Sequence, residues 1–219
     1  MPVVLSVVGR SQVGKTTFLE KLVPEIKRRG YTVGTIKHDA HDHFEMDKAG
    51  KDTWRHREAG SQTVAIGSPT RFALIKKVSR EMDLDTIVAS YFPDEDLVLT
   101  EGYKSGNKTK IEICRKEVHS EPLCGEADRL AAVVSDFPVA LEVPCFDLED
   151  ISGVAEFMEK RFLSHTTRPN VILRLDGRKL PIKSFVRDFL MGGILGMIST
   201  LRGYENPAQI DISIRLRKR

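Results

Sequence analysis

The sequence predicts an α/β fold in which a mainly parallel sheet is flanked by helices. The first apolar run, residues 3–8, is short, rich in β-branched residues and followed by Gly9. Continuous apolarity over one strand length is typical of a strand buried on both faces, as in a parallel sheet. After Gly14 the apolar residues recur about every 3.6 positions, which indicates a helix. Strand and helix patterns then alternate up to residue 162, as they do along a parallel sheet.

The elements of the main body follow from these patterns one after another. The first helix ends at Gly30, a second strand covers residues 31–37, and residues 38–51 are too polar to form a core element. Further along the chain we predict a short helix over 52–59, strands over 63–66 and 72–75, a helix over 85–92, strands over 97–99, 111–114 and 130–134, and a helix over 151–162.

The composition is that of a globular protein. Of the 219 residues, 41% are hydrophobic and 30% are charged, which excludes disordered and collagen-like chains. No window approaches about eighteen consecutive apolar residues, and the N-terminus lacks a basic region with a cleavage site, so we expect neither a membrane span nor a secretory signal. The cysteines lack C-x-x-C spacing, which favours free thiols in a reducing cytoplasm: Cys114, Cys124 and Cys145.

The charge distribution divides the chain near residue 165. Residues 1–165 contain 23 basic and 27 acidic side chains, a net charge of −4, whereas residues 166–219 contain 11 basic and 4 acidic ones, a net charge of +7. We therefore predict a main domain over 1–165 and a basic C-terminal extension over 166–219. A hairpin signal around Asp176-Gly177, an amphipathic stretch from Pro181 to Leu201 and an alternating stretch over 210–216 predict a small ββαβ unit in that extension.

Residues 9–16, GRSQVGKT, match the phosphate-binding pattern G-x-x-x-x-G-K-[ST]. Glycines permit the backbone angles that turn successive N–H groups toward a phosphate, and the helix that follows adds the positive end of its dipole. The pattern lies between a buried strand and an amphipathic helix, the context that it requires. The sequence thus predicts a P-loop NTPase fold whose nucleotide site includes Gly9, Arg10, Ser11, Gln12, Val13, Gly14, Lys15 and Thr16.

Two side chains are candidates for holding a Mg²⁺ that accompanies the nucleotide. The hydroxyl of Thr16 is placed for Mg²⁺, while Lys15 reaches the β- and γ-phosphates. Residues 97–100 form a buried strand that delivers Glu101 to the edge of the sheet, which makes it the preferred acidic ligand. Asp96 lies at the opposite end of that strand and is a weaker candidate. For Glu101 a second interpretation, a surface glutamate in a turn, stays open.

Three histidines and two aspartates lie within residues 38–43. Such a run is compatible with a Zn²⁺ or Ni²⁺ site, with a switch-like loop at the γ-phosphate or Mg²⁺, and with a solvated polar loop. The position of Lys37 and His38 at the end of the second strand favours the switch-like loop.

The residues that read the base are less evident. Residues 107–110, NKTK, begin like the guanine-reading pattern N-K-x-D, but Lys110 replaces the aspartate and the stretch precedes a strand instead of following one. We therefore reject it. Asp136 ends a buried strand and is the better candidate, because its carboxylate can accept hydrogen bonds from a purine N1–H and N2–H. Its alternative role is that of a turn or helix-cap residue.

Several further stretches accompany the P-loop and its Thr16-Thr17 pair. They are Ile36-Lys37-His38 with the His/Asp run, Asp47 with Gly50-Lys51-Asp52, Ala59-Gly60, residues 96–104 (DLVLTEGYK) and residues 132–138 (AVVSDFP). In this combination and order, over residues 1 to 163, the chain resembles the MobB family of molybdopterin-guanine dinucleotide biosynthesis. The K-H-x-x-H-D and E-G-[FY]-K elements discriminate more strongly than the P-loop, which many families share.

The resemblance implies a GTP-binding protein of the signal-recognition and MinD-like class, usually a homodimer. It implies assistance to the guanylyltransferase that joins GMP to molybdopterin, with feeble Mg²⁺-dependent GTP hydrolysis. Molybdopterin itself is a further candidate ligand, and we expect a cytoplasmic protein without a nucleic-acid or membrane partner. By position, the resemblance implies phosphate binding by Gly14, Lys15, Thr16 and Thr17, Mg²⁺ binding by Thr16 and Glu101, and a loop near the γ-phosphate formed by Lys37, His38 and Asp39.

Other functions stay open at this stage. The basic extension, which the shortest family members lack, is compatible with attraction of a phosphorylated pterin or an acidic partner, although a solvated dimer extension is the favoured interpretation. A P-loop kinase for a small metabolite is one alternative. It requires an Arg-rich lid, for which Arg55 and Arg57 are the only compact pair after the P-loop region, and no lid sequence is evident. A GTP-dependent metallochaperone that uses His41 and His43 is the other.

Overall fold

The computed structural model describes residues 2–39 and 47–163 and, further on, residues 171, 173–175, 178–180, 182, 184–205, 207, 210–212 and 214. The chain divides into two compact units, Met1–Ser164 and His165–Arg219. Across these described ranges, every helix is too short or too polar to cross a membrane.

The described elements of the first unit are β1 (Val3–Val8), α1 (Lys15–Arg28), β2 (Val33–Lys37), α2 (Asp52–Glu58), β3 (Thr63–Gly67), β4 (Phe72–Lys76), α3 (Leu84–Tyr91), β5 (Leu97–Glu101), β6 (Thr109–Cys114), β7 (Leu130–Ser135), β8 (Cys145–Phe146) and α4 (Ile151–Met158). Those of the second unit are β9 (Arg174–Leu175), β10 (Arg178–Lys179) and α5 (Ser184–Ile198).

Six strands form one parallel sheet in the order β2-β5-β1-β6-β7-β8. Strand β1 lies between β5 and β6, because residues 3–7 pair with 97–101 and residues 5–8 pair with 109–112. Successive side chains of a strand point to opposite faces, so the two faces of β5 bury different residues. Leu97 and Leu99 pack in one core with α1 and α4, and Val98 packs in another with α3. The predicted parallel α/β fold, with helices on both faces, is confirmed.

The centre of the sheet contains two polar side chains that satisfy each other. Ser6 on β1 and Thr100 on β5 are fully buried, and the Thr100 hydroxyl donates to Oγ of Ser6 over 2.9 Å. The two residues are paired across the strands. Buried hydroxyls without a partner would cost free energy, so this pair permits small polar residues at the position where β1 and β5 meet.

The last helix of the first unit differs from its prediction. The sequence predicts one helix over 151–162, but α4 ends at Met158 and a π-helical turn covers Glu159–Leu163. In a π turn each hydrogen bond spans five residues instead of four, which widens the backbone between Met158 and Leu163. Both side chains are completely buried in the core. The wider turn thus keeps the last apolar residue on the buried face.

The strands predicted at 63–66 and 72–75 are confirmed as β3 and β4, which pair with each other in an antiparallel hairpin outside the main sheet. Strand β8 was not predicted, because two residues are too short to show a pattern. The predicted strand over 210–216 is absent over 210–212 and 214, the part that the structure describes, where alternation alone does not supply the partner strand that a sheet needs. Residues 174–175 and 178–179 do pair antiparallel as predicted, while Asp176, Gly177 and Pro181 lie outside the described residues.

Gly34 on β2 is a position where the packing of the sheet admits no side chain. A Cβ there would overlap the ring of Phe92 and lie 2.8 Å from its Cε1 atom. We predict that Gly34→Ala lowers the free energy of unfolding by about 1–3 kcal/mol, because the ring must move. Denaturant unfolding followed by circular dichroism measures the change.

Gly67 provides the matched control for this substitution. It lies at the end of β3, and a Cβ there would have no neighbour within 4 Å among the described residues. Gly67→Ala is expected to change the free energy of unfolding by less than about 0.5 kcal/mol. Equal effects of the two substitutions would contradict the packing argument.

Candidate functional site

The loop between β1 and α1 is shaped by residues with positive φ. Gly9, Gln12 and Gly14 have φ angles of 144°, 62° and 97°. A Cβ at Gly9 would lie 2.6 Å from the carbonyl oxygen of Ile113 and 2.9 Å from Cγ1 of Val13, so position 9 requires glycine for space as well as for backbone angle. Helix α1 begins directly after Gly14. The N–H groups of its first turn, which have no partner within the helix, therefore lie at this loop.

The ammonium group of Lys15 is folded back onto the loop. Its Nζ atom donates to the carbonyl oxygens of Gly9 and Arg10 over 3.0 and 2.8 Å. Burial lowers the pKa of Lys15 below its ordinary value, while the carboxylate of Glu101 raises it and the ammonium of Lys37 lowers it further. A phosphate would offer this cation a charged acceptor, which binds an ammonium more strongly than a carbonyl does.

Glu101 connects the P-loop to the end of β2. Its Oε2 atom accepts a hydrogen bond of 2.9 Å from the Thr16 hydroxyl, and its Oε1 atom lies 3.6 Å from Nζ of Lys37. The parallel register explains this meeting, because Glu101 is paired with Val7 on one side and with Lys37 on the other. A hydroxyl and a carboxylate are the hard oxygen ligands that Mg²⁺ prefers. Thr16 and Glu101, which the sequence predicts as Mg²⁺ ligands, are therefore adjacent, and their oxygen atoms fit Mg²⁺.

Arg115 is a site residue that the sequence analysis missed. It directly follows β6, the strand beside β1, and its Nε atom donates to the carbonyl oxygen of Val13 over 3.1 Å. A Cβ at Gly14 would lie 3.5 Å from the same guanidinium. Arg115 thus supports the P-loop from the opposite side to Glu101 and adds a positive charge there. The sequence feature that could have indicated Arg115 is its position immediately after a buried strand.

His38 follows β2 and is held by two residues that were not predicted as part of the site. Its Nε2 atom lies 2.9 Å from Oε1 of Glu81, and its ring centroid is 4.6 Å from that of Tyr103. Its backbone N–H donates to the carbonyl of Glu101 over 2.9 Å. These side chains, together with Lys104, line a cavity of about 400 Å³, which is within the size range of small-molecule sites. Burial raises the pKa of Tyr103, so its hydroxyl stays protonated at neutral pH.

The other residues of the His/Asp run are only partly described. Asp39 follows His38 at the end of a described stretch, whereas His41, Asp42 and His43 lie outside the described residues. The switch-like loop that the sequence favours for this run therefore stays a prediction, with a Zn²⁺ or Ni²⁺ site and a solvated loop as its alternatives. The arginines considered for a kinase lid, Arg55 and Arg57, lie on α2, which has no buried residue.

Asp136 and Lys110 both have structural roles. The Oδ1 atom of Asp136 accepts a hydrogen bond of 2.8 Å from the backbone N–H of Lys116, which joins the ends of β6 and β7 near the P-loop. Its second oxygen keeps the acceptor capacity that a base would use. Lys110 lies at the opposite end of β6 and donates to the carbonyls of Gly106, Lys108 and Asp128. The base-reading role of Asp136 remains a prediction.

The three cysteines are free, as predicted. Cys114 and Cys124 are buried, whereas Cys145 is exposed. Burial, reinforced by the neighbouring Glu112 carboxylate, raises the pKa of the Cys114 thiol to about 12 and that of Cys124 to about 11. Because the thiolate is the nucleophilic form, both buried thiols of the metal-free protein should react slowly with external thiol reagents at neutral pH.

Comparison with known proteins decides the family. A family model described as MobB, molybdopterin guanine dinucleotide synthesis protein B, matches residues 4–136. The chain belongs to the MobB family. The matched region contains the P-loop, Lys37, His38, Glu101 and Asp136.

Curated relatives of this MobB chain carry names of the same kind. A molybdopterin-guanine dinucleotide biosynthesis adapter protein of Haemophilus influenzae is 36% identical over 156 residues, which are 71% of this chain and 86% of the relative. The protein of the same name from Escherichia coli strain K12 is 38% identical over 152 residues, 68% of this chain and 86% of the relative. The chain is therefore similar, over most of their length, to members of the MobB family that are named adapter proteins.

A solved structure of the family also matches. A crystal structure of molybdopterin-guanine biosynthesis protein B is 33% identical, with a TM-score of 0.58, and the match covers 72% of this chain and 97% of the other. The fold of this MobB chain is thus the P-loop NTPase-like fold of its family. The matched share of this chain is close in size to its first unit.

Lys15 is the side chain on which anion binding by the loop depends most. We predict that Lys15→Ala weakens the binding of pyrophosphate by at least tenfold, about 1.4 kcal/mol, because it removes the only long cationic side chain within residues 11–17. Lys27→Ala, an exposed position in the last turn of the same helix, is the control and should bind as the parent does. Calorimetric titration measures both. Unchanged affinity of Lys15→Ala would contradict the P-loop assignment.

The burial of the thiols gives a second prediction. In the presence of a chelator at pH 8, an aromatic disulfide reagent should titrate one thiol of the folded protein, Cys145, because the pKa values of about 12 and 11 keep Cys114 and Cys124 protonated. The other two should react only in denaturant. Cys145→Ser should abolish the rapid reaction, and rapid reaction of all three thiols in the folded protein would contradict the burial.

Proposed function

We propose that this MobB protein binds GTP together with Mg²⁺ and acts as an adapter for the guanylyltransferase that forms molybdopterin guanine dinucleotide. The observation that carries the proposal is the contact of 2.9 Å between the Thr16 hydroxyl and the Glu101 carboxylate at a P-loop that also presents Lys15. The names of the relatives, which call them adapter proteins, support the same function.

The phosphates would be held by the P-loop and the start of α1. The backbone N–H groups of residues 12–17 and the positive end of the helix dipole bind the anion, and Lys15 exchanges its two carbonyl acceptors for phosphate oxygens. Thr17 lies in the first turn beside Thr16 and adds a further hydroxyl. Arg115 keeps the loop in place through the Val13 carbonyl.

Thr16 and Glu101 would hold the Mg²⁺. When bound, the ion neutralises charge on the β- and γ-phosphates. Glu101 is held ready by its place at the end of β5, and Lys37 balances its charge at a distance of 3.6 Å. Asp39 follows His38 in the loop that we propose to lie near the γ-phosphate.

We also propose that the protein hydrolyses GTP slowly, because an adapter delivers or positions a ligand for its partner enzyme. A fast GTPase needs a residue that orients the attacking water. Within the described site, Glu101 is taken up by the proposed Mg²⁺, and His38 is already bonded to Glu81. Both arrangements favour a long-lived nucleotide complex over rapid turnover.

An apolar surface on the β3–β4 hairpin supports a protein partner. Ile66 and Phe72 are 58% and 70% exposed. They lie on opposite faces of the hairpin, because Ile66 pairs with Ala73 and Phe72 pairs with Gly67, and successive residues of a strand point to opposite faces. Large apolar side chains exposed on an edge hairpin are typical of sites that another protein covers. We propose that this surface serves contact with the guanylyltransferase or with the second copy of a homodimer.

The nucleotide preference tests the proposal. Calorimetric titration of the nucleotide-free protein in Mg²⁺ should show tighter binding of GTP than of ATP by tenfold or more, about 1.4 kcal/mol. Equal affinity, or a preference for ATP, would contradict the guanylation role and favour a kinase for a small metabolite. Glu101→Gln should retain GTP binding in the absence of Mg²⁺ but lose the gain in affinity that Mg²⁺ confers, because an amide is a poorer ligand than a carboxylate.

Asp136→Asn is a matched variant for base recognition. The amide oxygen of asparagine can still accept the N–H of Lys116, so the joint between β6 and β7 is preserved. The replacement removes a carboxylate oxygen that would accept from guanine N1–H and N2–H. We expect a smaller preference for GTP over ATP with unchanged ATP affinity. An unchanged preference would assign guanine recognition to other residues.

A further inference from the structure

A second cluster of chemically active side chains lies away from the Thr16–Glu101 pair. Glu112, Cys114 and His119 place one ligand atom each within 4.8 Å of one another. All three residues are buried, with the Glu112 side chain completely inaccessible and that of His119 only 5% exposed. A carboxylate, a thiol and an imidazole at such distances form a donor set suited to a transition-metal ion.

The local structure explains how the three side chains meet. Glu112 and Cys114 are two residues apart on β6 and therefore lie on the same face of the sheet. The chain then turns, because the backbone N–H groups of Val118 and His119 both donate to the carbonyl of Arg115, over 3.0 and 2.9 Å. This turn returns His119 to the face that Glu112 and Cys114 occupy. The pattern E-x-C-x-x-x-x-H is thus a strand pair followed by a closing turn.

The imidazole of His119 lacks the partners that a buried histidine requires. Neither ring nitrogen has a hydrogen-bond partner among the described residues, and Nε2 lies 3.8 Å from Oε1 of Glu112, which is too far for a hydrogen bond. A buried polar atom that has lost water and gained no partner is uncompensated. An ion between the three side chains would supply the missing partner of one ring nitrogen.

The carboxylate of Glu112 is already oriented for such an ion. Its two oxygens accept the backbone N–H groups of Leu123 and Cys124, over 2.6 and 2.9 Å. Carboxylates that ligate metals are held by hydrogen bonds of this kind. Each oxygen keeps a further lone pair for a ligand. The described neighbours therefore orient the carboxylate without occupying all of its acceptor capacity.

We propose that Glu112, Cys114 and His119 form a binding site for a divalent transition-metal ion, with Zn²⁺ as the chemically matched ion. A carboxylate and a thiolate carry two negative charges and a neutral imidazole carries none, so a divalent cation makes the buried cluster electrically neutral. Zn²⁺ accepts oxygen, sulfur and nitrogen ligands together, and with three protein ligands it takes water as the fourth. Binding displaces one proton, that of the Cys114 thiol.

An ion bound by Glu112, Cys114 and His119 would stabilise the conformation of the P-loop. Arg115 follows Cys114 and belongs to the turn that carries His119, and its guanidinium donates to the Val13 carbonyl in the P-loop. An ion that joins Cys114 to His119 would therefore tie both ends of this turn together. The metal site is separate from the proposed Mg²⁺ position, and it stands whether or not the protein prefers GTP.

Cobalt substitution tests the site on the full-length protein. After removal of metals by a chelator under reducing conditions, Co²⁺ titration should reach one equivalent and produce a thiolate-to-cobalt charge-transfer band, which Zn²⁺ then displaces. Cys114→Ser should abolish the band, whereas Cys145→Ser, which removes the exposed thiol, should retain it. Absence of the band in the folded parent protein, or its persistence in Cys114→Ser, would overturn the proposal.

A second variant keeps the test decisive if Cys114→Ser unfolds the chain. His119→Gln removes a ring whose nitrogens have no hydrogen bond among the described residues, so circular dichroism should show an intact fold. It should weaken Zn²⁺ binding, measured by competition with a chromogenic chelator, more than about a hundredfold, since losing a ligand exceeds losing an outer partner. Unchanged Zn²⁺ affinity of folded His119→Gln would overturn the assignment. Retained pyrophosphate binding in both variants separates this result from a failure of the P-loop.

Discussion

The position of β1 between β5 and β6 determines where the site residues of the first unit lie. Parallel pairing places Val7 beside Glu101 on one side and beside Ile111 on the other. The P-loop follows β1, so the ends of β5 and β6 necessarily flank it. A shift of this register by one residue would move Glu101 to the other face and away from Thr16. The buried Ser6–Thr100 hydrogen bond, made between paired residues, favours the observed register over its neighbours.

The P-loop is closed by interactions within the protein itself. Lys15 occupies the Gly9 and Arg10 carbonyls, Thr16 bonds to Glu101, and Arg115 bonds to Val13. Three of these four contacts involve groups that a nucleotide or its metal ion would also bind, so ligand binding would exchange partners without building the loop anew. Such preorganisation reduces the conformational entropy that the loop would lose on binding a ligand. The same logic applies to the Glu112 carboxylate, which two backbone N–H groups orient in advance.

Sequence patterns predict a feature well where a local requirement, such as a backbone angle or burial of a strand, selects the residue type. Gly9 and Gly14 have the positive φ angles that favour glycine, and the apolar run of β1 is buried in the middle of the sheet. Glu101 lies at the end of its buried strand as expected, while its role as a Mg²⁺ ligand stays a prediction. Sequence patterns failed where a contact depends on elements distant in sequence. Arg115 is 102 residues from Val13, and Glu81 is 43 residues from His38. No local periodicity encodes such a meeting, and a two-residue strand such as β8 or one widened helical turn is too short to show a pattern.

The sequence by itself determined the parallel α/β fold, the P-loop and the resemblance to MobB, because hydrophobic period, glycine positions and short motifs are local properties of the chain. Only the tertiary structure decided which side chains share a site. Lys37 reaches Glu101 because β2 pairs with β5, and His119 reaches Glu112 because a turn reverses the chain after β6. Cysteine spacing alone favours free thiols, yet alternation along a strand followed by a turn brings Cys114 within reach of two other candidate ligands. Proximity arises from pairing and chain reversal, and these depend on the whole sheet.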